Sequence, residues 1–376
     1  MEDLRYFAEM ASELNNAEIQ AWKRAGKRVI GTVCSNIPEE LIYAAGILPI
    51  RLRAPRLQDT SSADSLLHRI NCSYTRSVLE LLLRGELGFL DGIVTTNTCD
   101  HMLRLAGELQ AEARMPFIHY FSMYHALGKA ADEWFVLEME KLKGSLEQAF
   151  SMKISDDDVR RAIFVYNRTR RLMGQLNEFR KADPPPLSGT EYFQIVLAGM
   201  STPREQFNDR LEALLPLIQS RRAGGAVQSR LMVVGGGCDA PEFIEFIERK
   251  GARIVTDGLC FGMRHYSGTI DENDANPLHA IALRYTNRAA CPAIINGFPQ
   301  SYGILSKLIR EWGVQGVICA RLKFCDHWAG ARKLLAEELR KDGLPLLDLE
   351  REYSTTSSGQ MSTRIQAFLE MLKSQA

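Results

Sequence analysis

The chain has 376 residues, room for two to three domains at roughly 150 residues each, and its 45% hydrophobic and 24% charged content is that of a folded globular protein. Disordered and low-complexity readings are thereby excluded. Lys plus Arg and Asp plus Glu number 46 each, a formal charge of zero that argues against an electrostatic grip on nucleic acid or on an anionic membrane.

Residues 1–16 are acidic and polar, with neither the basic start nor the apolar core of a signal peptide. The apolar runs at 214–218 and 231–234 are far too short to span a bilayer, so a cytoplasmic protein without a membrane partner is expected. Residues 1–27 are read as an N-terminal helix. A first α/β lobe over 28–125 then follows, with strands at 28–33, 48–52, 92–95 and 117–120 separated by helices at 38–45, 74–84 and 100–112. Residues 126–225 form a helical connector. Its helical pattern over 126–179 breaks at Ser155, a good N-cap followed by three aspartates. Asp183-Pro-Pro-Pro forces an extended break before a helix at 204–219, and 221–228 reads as a loop. The second α/β lobe, 226–376, repeats the first scheme, with strands at 230–234, 253–256, 316–318 and 345–349. Its helices fall at 241–250, 302–312, 329–341 and 362–373, the first two closed by Gly251 and Gly313. Short apolar strands alternating with helices predict an α/β fold of two doubly wound parallel-sheet lobes, with chemistry in the cleft at the carboxyl ends of the strands.

The eight cysteines raise the question of what a reducing compartment does with so many thiols. Cys34, Cys99, Cys238 and Cys260 each follow a strand, and Cys325 follows Cys319 at the end of 316–318. Thiols meant only for packing would be expected inside strands or on inward helix faces. No CxxC pair or ferredoxin-like run is present, so any metal must draw its ligands from distant segments. Cys72, Cys99 and Cys325 each precede a helix, where the helix dipole favours thiolate. Iron-sulfur, zinc, reactive and merely buried thiols all remain open on these residues alone.

Several segments carry a resemblance: Gly31-Thr-Val-Cys-Ser-Asn-Ile-Pro-Glu-Glu-Leu, Cys72-Ser-Tyr-Thr-Arg-Ser-Val-Leu-Glu, and Asp91-Gly-Ile-Val with Thr98-Cys-Asp. Gly316-Val-Ile-Cys-Ala-Arg-Leu-Lys-Phe-Cys-Asp and Thr363-Arg-Ile-Gln-Ala-Phe-Leu-Glu-Met-Leu complete the set. In order and spacing the chain resembles the D-component subunits of the 2-hydroxyacyl-CoA dehydratases, whose superfamily includes class I benzoyl-CoA reductase subunits and double-cubane cluster proteins. The resemblance implies a 4Fe-4S cluster held by Cys72, Cys99 and Cys325, with one iron left open to solvent or a substrate oxygen. It also implies a homologous second subunit, a separate ATP-hydrolysing iron-sulfur activator, and an acyl-CoA substrate whose thioester receives one low-potential electron to give a ketyl radical. A double cubane would need a second set of thiols, for which Cys34, Cys260 and Cys319 are available, but the further cysteine pair associated with those members is lacking. Cys238 and Cys291 are read as core. A non-catalytic binding or electron-transfer protein is the rival from another class.

The chain has no GxxxxGK[ST] loop, so ATP hydrolysis belongs elsewhere. The Gly235–Gly237 run reads equally as a phosphate cradle or as a tight strand-to-helix turn. Ser35 and Glu39, after the first strand, are placed to meet a substrate carbonyl or move a proton, although Glu39 also suits an ordinary helix first turn. His101, His125, Arg264 and His265 are further cleft candidates, although a surface or supporting position suits His101 and His125 better and a solvated loop suits Arg264 and His265 at least as well.

Overall fold

The computed structural model describes residues 2–222, 229–288, 291–354 and 358–375. Most of the loop expected over 221–228, and the connector boundary at 225/226, lie outside the described residues. The start of the chain folds as two helices, α1 (Glu2–Ser12) and α2 (Ala17–Arg24), where one was expected. Asn16 makes the break. Its side-chain oxygen accepts the Glu18 and Ile19 amides, while its amide nitrogen donates to the carbonyls of Met10 and Ser201.

The first lobe follows as β1 (Val29–Thr32), α3 (Glu39–Ala44), β2 (Leu48–Arg51), α4 (Ser73–Leu83), β3 (Gly92–Thr96), α5 (Asp100–Glu112) and β4 (Phe117–Phe121). The connector contains α6 (Lys129–Phe150), α7 (Asp156–Glu178), α8 (Gly189–Gly199) and α9 (Arg204–Ser220). Ser155 caps α7 through a reciprocal box with Asp158, and Ser188 caps α8 in the same way with Glu191. The second lobe comprises β5 (Ser229–Gly235), α10 (Pro241–Glu248), β6 (Ala252–Leu259), α11 (Met263–Tyr266), α12 (Pro277–Asn287), α13 (Phe298–Glu311), β7 (Gly316–Leu322), α14 (Asp326–Lys341), β8 (Leu346–Arg351) and α15 (Gly359–Gln375). None of the described helices is long and apolar enough to cross a membrane.

Both sheets are parallel, with orders β2-β1-β3-β4 and β6-β5-β7-β8, so the two lobes share one topology. In each, the order reverses beside the first strand, and ligands of such sheets collect at the carboxyl ends near that reversal. Strands β5, β6 and β7 of the second lobe are buried on both faces, as a parallel sheet covered by helices requires, while the edge strand β8 is only partly covered. Leu231 and Val233 of β5 face the main core, while Met232 and Val234 join Val255, Trp312, Val317 and Leu339 in a second core on the opposite face. Cys319 belongs to that second core. β7 runs on to Leu322, so Cys319 lies inside a strand rather than at its end.

The glycine run after β5 is a packing device. Gly235 has φ +148°, and a Cβ there would lie 1.9 Å from the carbonyl oxygen of Ala320, its register partner in β7. A Cβ on Gly236 would meet the Trp328 ring at 2.8 Å, and one on Gly237 would meet Leu322. The space of a phosphate cradle is thus filled by β7 and α14. Gly235→Ala should lower stability by roughly 3 kcal/mol or more, through backbone strain and the displaced strand; urea unfolding of the purified variant measures this, and an unchanged midpoint would contradict the packing role.

Candidate functional site

Cys72, Cys99 and Cys325 occupy one structural position three times: each is the N-cap residue of a helix, of α4, α5 and α14 respectively. Cys99 follows β3 and Cys325 follows β7, the equivalent third strands of the two lobes. The carboxyl ends of the two sheets face each other there, and a Cβ on Gly237 of the second lobe would sit 3.6 Å from Cβ of Tyr74 in the first. The Cys72 amide donates to His101 Nδ1 at 3.2 Å, which ties the start of α4 to the first turn of α5. None of the three thiols makes a cap hydrogen bond, yet the backbone amides of Thr75, Met102 and Trp328, one turn in, all favour the thiolate.

Burial pushes all three thiols up. Cys99 is raised further by Cys72, Cys325 and Cys291, and Cys325 is pushed up to about 12 with Cys72, Cys291 and Asp326 adding to burial. Three neighbouring thiols in an apolar setting stay protonated until a cation enters among them, and metal binding then displaces the protons. Among the described residues no three His, Cys, Asp or Glu side chains are grouped to hold a single metal ion. Three capping thiols are the donor type that an iron-sulfur cluster takes.

Beside Cys325 opens a cavity of about 280 Å³. Phe298, Ile304, Leu305, Leu308 and Leu334 give it an apolar wall, and Asp257, Arg264, Asp326 and His327 are among its polar groups. His327 is lowered by burial. Such a chamber is small and apolar, with few polar groups, as ligand pockets are. Cys291, expected in the core, and Arg264, equally compatible with a solvated loop, both line this cavity. The signal that could have found Cys291 is Pro292 and the glycine-containing loop after it, which exclude a helix or strand interior. A larger polar cavity near Arg53, Asp239 and Tyr353 has no cysteine in its lining.

The remaining candidates separate. Cys34 and Cys260 both lie close to Arg51, a buried cation stacked on Phe261 at 4.7 Å. Cys319 stands instead beside Cys325, so the second thiol set of Cys34, Cys260 and Cys319 is not brought together. Cys238 is fully buried. Ser35 is buried and its carbonyl accepts from Arg288. Glu39 accepts from Arg204 at 2.5 Å and lies 3.5 Å from Nε2 of His265. Glu40, next in α3, pairs with Arg170 and accepts from Tyr285 at 3.0 Å. Neither Ser35 nor Glu39 lines the apolar cavity. His101 is half-buried and holds the Cys72 amide, and His125 lies in the loop after β4 with a buried Nε2 that has no hydrogen-bond partner among the described residues.

A family model described as 2-hydroxyglutaryl-CoA dehydratase, D-component, matches residues 34–372. The chain is 25% identical to a benzoyl-CoA reductase subunit from Thauera aromatica, over 93% of this chain and 92% of the relative. It is 23% identical to the beta subunit of (R)-2-hydroxyglutaryl-CoA dehydratase from Acidaminococcus fermentans, over 93% and 94% of the two chains. A third relative, the beta subunit of lactoyl-CoA dehydratase from Anaerotignum propionicum, is 23% identical over 92% of both.

Burial alone would raise the Glu39 carboxyl, but His265 and Arg204 more than offset it and hold it at about 2, against an ordinary 4.5. Burial lowers His265 from 6.5 to about 4, so Arg204 is the cation Glu39 faces at neutral pH. Both shifts make the unfolded chain bind more protons than the native one in acid, so both erode stability as pH falls, His265 between 6.5 and 4 and Glu39 between 4.5 and 2. Glu39→Gln should cost roughly 3–5 kcal/mol at neutral pH by leaving Arg204 buried without its anion, and the gap to wild type should close below pH 4.5. Urea titrations at a series of pH values read both; a gap that does not vary with pH would contradict the ion-pair account.

Proposed function

The chain belongs to the 2-hydroxyglutaryl-CoA dehydratase D-component family, and from that premise we propose that it is the iron-sulfur subunit of a 2-hydroxyacyl-CoA dehydratase or a benzoyl-CoA reductase. The observation that carries the reading is that Cys72, Cys99 and Cys325 each cap a helix N-terminus and act electrostatically on one another. These three residues would hold a 4Fe-4S cluster. Such a cluster, when bound, supplies the low-potential one-electron chemistry that turns a thioester carbonyl into a ketyl radical anion, ahead of loss of water or ring reduction.

The chain's own residues do the rest. The positive ends of α4, α5 and α14 oppose the negative charge that thiolate ligands bring, and the amides of Thr75, Met102 and Trp328 stabilise the sulfur atoms directly. His101 fixes the backbone of Cys72 through its Nδ1. The apolar wall of Phe298, Leu305 and Leu308 keeps water from the neighbourhood of Cys325. Glu39 is committed to a buried ion pair with Arg204, so no proton transfer is assigned to it, while Ser35 is held after β1 through its backbone carbonyl, which accepts from Arg288.

The relatives are themselves named as subunits, which supports a homologous partner subunit for this chain as well. The absence of a phosphate-binding loop supports a separate ATP-hydrolysing activator as electron source, and the relatives' names support an acyl-CoA substrate and thus a cytoplasmic site of action.

Anaerobically purified protein should carry about four irons and four sulfides, and Cys72→Ala, Cys99→Ala and Cys325→Ala should each lose most of them. Full iron retention in all three variants would reject the ligand assignment, and a colourless wild type would reject the cofactor. With partner subunit, reduced activator and ATP, the product ratio from a 2-hydroxyacyl-CoA and from benzoyl-CoA decides between dehydratase and reductase.

A further inference from the structure

The polar cavity near Arg53, of about 520 Å³, stands apart from the thiols and has no part in the reading above. Arg53 follows β2, Asp239 follows β5 and Tyr353 follows β8, so the carboxyl ends of strands from both sheets open on it, where parallel sheets gather their ligands. One side is closed by α1, and Gln194 of α8 lines another.

The lining carries charge that the fold leaves unanswered. Arg53 is fully buried, and its Nη2 donates to the carbonyls of Ala11 and Glu13, the latter at 3.3 Å, which secures the end of α1. That structural task occupies one nitrogen. Nε and Nη1 are buried without a hydrogen-bond partner among the described residues. Asp239 is buried too and accepts from the Tyr353 hydroxyl, which itself accepts the Ala54 amide at 2.9 Å and is then fully engaged. Asp239 and Glu242 act on Arg53 from beyond ion-pair distance, and burial works against both charges, lowering the guanidinium and raising the Asp239 carboxyl. A buried cation and a buried carboxylate that share a cavity without pairing are both stabilised by a guest that brings the two opposite charges. A bare anion such as phosphate would answer Arg53 but face Asp239 and Glu242, and a bare amine would leave the guanidinium donors unmatched. Arg56, the other cation on the lining, lies 3.5 Å from Glu13.

We propose that this cavity binds a free α-amino acid, its carboxylate received by Arg53 and its ammonium by Asp239, with Glu242 at the exposed rim. The volume leaves room for a side chain, and Gln194, whose amide makes no hydrogen bond among the described residues, is at hand for a polar one. A guest so held would join the two lobes, since Arg53 belongs to the first and Asp239 to the second.

A thermal-unfolding panel of the standard amino acids on the anaerobically purified full chain, followed by titration calorimetry of those that raise the midpoint, tests this. At least one amino acid should bind. The matching carboxylate without the amine, the matching amine without the carboxylate, the matching 2-hydroxy acid and inorganic phosphate should each bind at least about tenfold more weakly. Arg53→Gln should weaken amino-acid binding about thirtyfold or more, and Asp239→Asn about tenfold. Should these buried variants fail to fold, Glu242→Gln at the exposed rim should still fold and weaken binding about threefold, and the wild-type panel decides in any case. A panel in which no amino acid shifts the midpoint overturns the proposal. Equal binding of the 2-hydroxy acid, tighter binding of phosphate, or amino-acid binding unmoved in folded Arg53→Gln also overturns it. Cys72→Ala, Cys99→Ala and Cys325→Ala should bind the amino acid as wild type does, so failure of the iron-sulfur reading and failure of this one are read separately.

Discussion

The docking of the two lobes depends on two adjacent carboxylates. Glu39 and Glu40 open α3 in the first lobe, and both are buried where no water can solvate them. Buried charge of this kind persists only when it is paired and hydrogen-bonded. Their partners come from elsewhere in the chain: Arg170 and Arg204 from the connector, His265 and Tyr285 from the second lobe. Arg284 and Arg288 extend the array, bonding to the carbonyls of His265, Ser267 and Ser35. Satisfying two carboxylates therefore brings three regions of the chain to one place, and Cys99 meets Cys325 as a result.

The thiol site that this docking creates gathers helix N-termini rather than charged side chains. Each of α4, α5 and α14 begins at a capping cysteine whose own geometry leaves the terminal amides free of a side-chain cap. Amides at a helix start are donors that favour a negative charge on the capping sulfur. Three sets of them around one point favour an anionic occupant without placing a lysine or arginine in the centre, where it would compete for the sulfurs. The apolar cavity alongside strengthens each of these interactions by keeping the local dielectric low.

Much of this architecture is readable from the residues. The strands stand out because they are short apolar runs between helical patterns, and Ser155 announces its helix through the acidic turn that follows. The helix at 189–199 escapes notice although Ser188 and Glu191 spell a capping box, because the preceding prolines dominate the local signal. The helix at 277–287 escapes because it carries buried Arg284 and Tyr285 beside its apolar residues, and this blurs the amphipathic period. Strand ends are the weakest point. Several more residues of β7 than expected move Cys319 from the cleft edge into a core. For Cys291 the residues announce a loop but not where it lies, because that loop gains its position from backbone bonds to residues 125 and 127, a contact that no local pattern records. Glu39 looks like a free acid beside a strand end, and only the distant Arg204 shows it to be a clamp.

The two sheets share one strand order, and their third strands each deliver a thiol. Yet the donors are not shared evenly, since Cys72 and Cys99 belong to the first lobe and Cys325 to the second. Rotation of one lobe against the other would leave the Cys72–Cys99 span fixed and change both spans to Cys325. The centre is thus mechanically lopsided, a rigid two-point seat with a movable third jaw. A protein that docks across the seam would act on the jaw alone, without touching the seat.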